Sequence, residues 1–65
     1  MQRYALRQAR EKAGLTALDV ADKTGIAEMR LYSLERGRGR LRDEEARTLA
    51  TTLGITTAEL KGGAQ

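Results

Sequence analysis

From Leu15 to Arg42 the chain reads LTALDVADKTGIAEMRLYSLERGRGRLR, and this stretch decides the fold. Thr16 is placed to cap a helix whose Ala17, Val20, Ala21 and Thr24 recur at i, i+3, i+4 and i+7, the spacing of one helical face. Gly25 ends that helix. A second helix spans about Ala27 to Arg36, with Ala27, Leu31 and Leu34 facing inward and Gly37 as its stop. About three residues separate the two helices, which forces a sharp turn between them.

The flanking segments carry the same punctuation. A helix from Gln2 to Ala13 places Leu6, Ala9 and Ala13 on one stripe, with Tyr4 packing near its start and Gly14 just past its end. Residues 38–42 form a short basic loop. Asp43, Glu44 and Glu45 then open a fourth helix, where the positive end of the macrodipole favours acids. Ala46, Leu49, Ala50 and Leu53 form its apolar stripe, Gly54 ends it, and Thr56 or Thr57 caps a last turn through Leu60. No segment alternates with period two, so the fold class is all-α, with one domain over residues 1–61 and a short tail over residues 62–65.

A chain of 65 residues buries only about 60% of its unfolded surface on folding. It has no Phe and no Trp, so a small Leu, Ile, Val and Ala core supplies no more than roughly 3 to 5 kcal/mol of net stability, which a partner or a dimer interface would supplement. The absence of Cys and His removes disulfides and the usual zinc ligands, and no metal or cofactor is expected. No apolar run approaches the ~18 residues a membrane span needs, and Met1-Gln2-Arg3-Tyr4 has no apolar signal region. A cytoplasmic protein is expected.

The net charge of +3 is modest, but it is concentrated. Arg30, Arg36, Arg38, Arg40 and Arg42 face a single acid, Glu35, so this window carries +4 and the rest of the chain −1. Such a localised field favours phosphate contact through counterion release. Arg38, Arg40 and Arg42 alternate with Gly39 and Leu41, a spacing that lets a flexible backbone aim several guanidiniums along one phosphate strand.

Leu6, Arg10, Gly14-Leu15-Thr16, Val20-Ala21, Thr24-Gly25-Ile26, Leu31, Leu34-Glu35-Arg36-Gly37-Arg38, Leu49-Ala50, Leu53-Gly54-Ile55 and Glu59-Leu60 form one pattern. It resembles the phage Cro and repressor family of helix-turn-helix proteins, the xenobiotic-response-element type. The resemblance runs ungapped over almost the whole chain. It implies a compact five-helix, lambda-repressor-like domain in which helices 2 and 3 form the helix-turn-helix and helix 3 lies in the major groove of double-stranded DNA. It implies a homodimer and a partly buried ion pair between Arg10 and Glu35. The family usually has Gln second in its Ser/Thr-Gln helix start; Ala17 stands there instead, leaving Thr16 and the Ala17 backbone N–H to meet phosphate. Leu18 replaces a residue that is commonly charged.

A wheel at ~100° per residue sets Met29, Tyr32, Ser33 and Arg36 opposite Ala27, Leu31 and Leu34, with Glu28 on the flank. Glu28, Met29, Tyr32 and Ser33 are the expected base readers. A carboxylate accepts from the cytosine amino group, Met and Tyr meet the thymine methyl, and Ser bonds almost any base. Arg36, Arg38, Arg40 and Arg42 are the expected phosphate contacts, together with Arg30, which lies nearer the core stripe. Leu60 is a candidate dimer contact.

The leading functional expectation is a transcriptional repressor bound as a homodimer to a palindromic or near-palindromic operator. The alternative is a protein-binding module of the same fold, an antitoxin or adaptor, in which Leu18, Met29 and Tyr32 hold a second protein. An enzyme is not expected. With no His or Cys, and with Glu44 and Glu45 diverging on a helix, no acid-base pair, nucleophile with its base, or small-molecule substrate site assembles.

Overall fold

The Thr16 side chain accepts from the Asp19 N–H at 3.1 Å while the Asp19 carboxylate accepts from the Thr16 N–H at 2.9 Å. This reciprocal box starts the second of five helices in the computed structural model, which describes residues 5–62. The helices are α1 (Leu6–Lys12), α2 (Ala17–Thr24), α3 (Glu28–Glu35), α4 (Asp43–Leu53) and α5 (Thr57–Gly62). The described residues are all-helical, as expected. The expected helix start at Gln2 and the packing of Tyr4 fall outside the described residues, as do Gly63, Ala64 and Gln65 of the expected tail.

Three residues join α2 to α3, and Gly25 takes the left-handed conformation there, with φ 78°. The Thr24 hydroxyl donates to the Val20 carbonyl at 2.7 Å and accepts from the Ile26 N–H at 3.1 Å, so one side chain satisfies both strands of the turn. At the end of α3 the Arg38 N–H reaches the Ser33 carbonyl at 2.8 Å and the Gly37 N–H reaches Leu34 at 3.1 Å. These are the two bonds of a Schellman ending.

The core consists of Leu6, Ala9, Val20, Leu31, Leu34, Leu41, Ala46, Leu49, Leu53 and Leu60, with Leu15, Ala21, Ile26 and Ile55 at its margin. α2 packs on α3 and α4, α1 on α3, and α5 on α4. Two expected inward residues lie elsewhere. Ala13 is exposed because α1 stops at Lys12 and the chain leaves through a cap, and Ala27 is exposed because its extended backbone precedes the first residue of α3. Leu15, two residues after Ala13, and Ile26, one residue before Ala27, turn toward the core in their place.

The two ends of the described chain meet. The Ala5 N–H donates to the Leu60 carbonyl at 2.9 Å, and Thr56 and Glu59 form a second reciprocal box at the start of α5. α5 continues to Gly62, two residues beyond the expected turn. Lys61 closes its outer edge by donating to Asp43 at 3.0 Å. Among the described residues, no helix is long and apolar enough to cross a membrane.

Candidate nucleic-acid interface

Packing Leu31 and Leu34 into the core leaves the other side of α3 to solvent. Met29 is 78% exposed and Tyr32 39%, while Glu28 and Ser33 are half-buried beside them. α3 therefore carries large apolar side chains on both faces, which packing on one side does not require. Tyr32 also lines a cleft of about 240 Å³ with Arg7, Arg10, Glu35 and Arg36.

The floor of that cleft is fixed by charge. Arg10 Nε donates to Glu35 Oε2 at 2.8 Å, its Nη2 to Oε1 at 3.1 Å, and its Nη1 to the Leu15 carbonyl at 3.1 Å. The Glu35 hydrogen bonds hold the guanidinium above the ordinary arginine range despite burial. Arg7, by contrast, makes an exposed one-turn pair with Glu11 at 3.3 Å.

At the start of α2 the Thr16 N–H and hydroxyl are both engaged with Asp19. The Thr16 hydrogen bonds, through its N–H first, hold the Asp19 carboxyl below the usual range, so this helix end carries a fixed negative charge. Ala17 is buried, and its N–H belongs to the first turn, where a helix supplies no internal acceptor. The start of α2 thus sets the Ala17 backbone beside a carboxylate.

Arg36, Arg38, Arg40 and Arg42 are all exposed. The backbone that carries them is tied down more firmly than a flexible arm, because Leu41, in the middle of the basic run, is only 5% exposed and belongs to the core. Arg30 lies apart from the other arginines. Its Nε and Nη2 donate to Glu45 at 3.1 and 2.9 Å, and Nη2 also reaches the Arg40 carbonyl at 2.6 Å. Expected as a phosphate ligand, Arg30 spans α3, the loop and the first turn of α4.

A helix-turn-helix family model of the Cro/C1 type matches residues 6–60. The chain belongs to the helix-turn-helix family. This family comprises DNA-binding transcription regulators, and the α2–turn–α3 unit described above is the element for which it is named. No curated protein matches the chain in a whole-sequence comparison.

Within the helix-turn-helix domain Leu60, the candidate dimer contact, is 0% exposed and packs inside its own domain. α5 folds back on α4 and turns Leu60 inward. The sequence does not reveal the roles of two residues: Leu41, whose only signal is an apolar side chain stranded among arginines, and Glu45, whose place in the first turn of α4 points to the helix dipole alone. Glu45 also accepts from the Arg42 N–H at 3.0 Å, and its carboxyl is held below the usual range chiefly by Arg30.

Proposed function

We propose that this helix-turn-helix domain represses transcription by binding a palindromic or near-palindromic duplex operator as a homodimer, with α3 in the major groove. The observation that carries the reading is the juxtaposition of a solvent-facing α3 surface, Glu28, Met29, Tyr32 and Ser33, with the exposed Arg36, Arg38, Arg40 and Arg42. In this arrangement the arginines supply affinity and register, and the α3 face supplies base preference through a cytosine amino group and thymine methyls. The Ala17 N–H adds a phosphate contact at the start of α2. Two domains related by a twofold axis set their α3 helices about 34 Å apart, one turn of duplex. No catalytic step or cofactor enters the proposal.

The deciding experiment is selection from randomised duplexes with measured stoichiometry. A symmetric consensus bound by two chains supports the proposal. Failure to enrich any duplex rejects it.

A protein partner is favoured by one specific observation, the exposure of Leu18 at 55% alongside Met29. An antitoxin- or adaptor-like complex would be lost on Tyr32→Ala and would not vary with salt. Duplex binding weakens steeply as salt rises.

A further inference from the structure

We infer that Arg30 and Glu45 form a positioning brace that sets the basic loop against α3, and that Arg30 serves DNA binding through Arg38 and Arg40 without touching phosphate itself. This inference rests on the DNA-binding reading of the same surface. Its basis is the geometry of one guanidinium, which holds both oxygens of Glu45 at 2.9 and 3.1 Å and the Arg40 carbonyl at 2.6 Å. The planar fork of arginine can meet a carboxylate with two parallel bonds and still place a hydrogen on a third acceptor. α3, the loop and α4 are thereby fixed relative to one another by a single side chain.

Gly39 shows how closely the loop is drawn in. A Cβ at this position would lie 2.8 Å from Arg30 Nη1, nearer than side-chain carbons approach such atoms, and its φ of 79° already favours glycine. Leu41 anchors the next turn of backbone from the core side. The loop between Gly37 and Arg42 is thus held at Leu41 by packing and at Arg40 by hydrogen bonding, with the exposed arginine side chains projecting from a fixed path. Glu45 is the orienting partner, since it also accepts from the Arg42 N–H and so joins the loop's exit to Arg30.

The brace and a direct phosphate contact predict opposite signs for one substitution. Glu45→Gln removes a negative charge beside the proposed interface and releases Arg30, so a phosphate-binding Arg30 would bind duplex as well or better. A positioning Arg30 makes the same variant bind several-fold more weakly, with the salt slope lowered by about 1 to 2 through poorer placement of Arg38 and Arg40. Arg30→Lys keeps the charge but loses the fork, and it has the same expected loss; the double variant is no worse than either alone.

The test measures duplex affinity against salt for the full chain and these variants, using the selected duplex, together with backbone amide order parameters at residues 38–40. The expected result is matched, non-additive weakening with lowered order parameters in the loop. Unchanged or tighter binding by Glu45→Gln overturns the inference, as do unchanged loop order parameters. Should one of the variants fail to fold, the other carries the same expectation, since each breaks the same Arg30–Glu45 contact, and its unchanged binding is equally decisive. Absence of salt-dependent duplex binding by the unaltered protein overturns the DNA reading and this inference with it, whereas unaltered loop order in the variants removes the brace alone.

Discussion

Arg10 and Glu35 lie 25 residues apart in sequence and meet through two hydrogen bonds, at 2.8 and 3.1 Å, that fasten α1 to the last turn of α3. Their side chains are 13% and 7% exposed, so either partner left alone would be a charge largely withdrawn from water. Arg10→Met is expected to destabilise the domain by about 3 kcal/mol, whereas Arg7→Met at the exposed pair costs under about 0.5 kcal/mol. Urea unfolding of the two variants checks the contrast, and equal losses would remove the structural role of the buried pair.

Acid should loosen the fold in a definite direction. Glu45 is depressed by Arg30, Asp19 by Thr16 and Asp43 by Lys61, so each binds protons more readily unfolded than folded. Their contribution is complete above the ordinary carboxylate range and is lost as pH falls through the lowered folded values. Stability is therefore expected to decline below about pH 4.3, the unfolded glutamate value. Glu45→Gln should flatten part of that decline in urea midpoints measured from neutral to strongly acidic pH.

Affinity and sequence preference should separate. Replacing Arg38 and Arg40 together by alanine is expected to lower the salt slope of duplex binding by about 1.8 while leaving the selected consensus intact. Met29→Ala or Glu28→Gln should alter the consensus at particular positions, each worth about 1 to 3 kcal/mol of discrimination, with little change of slope. A consensus that shifts with the arginines instead would reverse the proposed division of labour.

Leu60→Ala is expected to cost about 2 to 5 kcal/mol of folding stability, the usual range for emptying a leucine site in a packed core. In a domain of this size that is enough to unfold much of the population. Sedimentation and circular dichroism together discriminate: a well-folded, monomeric Leu60→Ala protein would restore the residue as a dimer contact.

The helix order was legible because its signals are local. Thr16 as the cap of α2, Gly25 in the turn and the acids from Asp43 each act within one turn of chain, and the structure places them where their chemistry requires. The exposed face of α3 followed from the periodicity of Leu31 and Leu34. What escaped depended on distant chain. Leu60 is buried only because α5 folds back on α4, Arg30 finds Glu45 fifteen residues away, and Leu41 belongs to no periodic stripe yet fills the core. Ala13 and Ala27 failed for a smaller reason: each sits one residue beyond a helix end, where the face defined by periodicity no longer applies.

The seat of Leu41 has a kinetic consequence. A basic arm that is disordered in solution loses its conformational freedom when it meets a partner, and part of the favourable contact energy is consumed in that ordering. Here the buried leucine and the hydrogen-bonded backbone on either side of Gly39 order the segment when the domain folds. Association with duplex should then proceed as rigid-body docking, fast and steered by charge, without a slow coupled-folding phase.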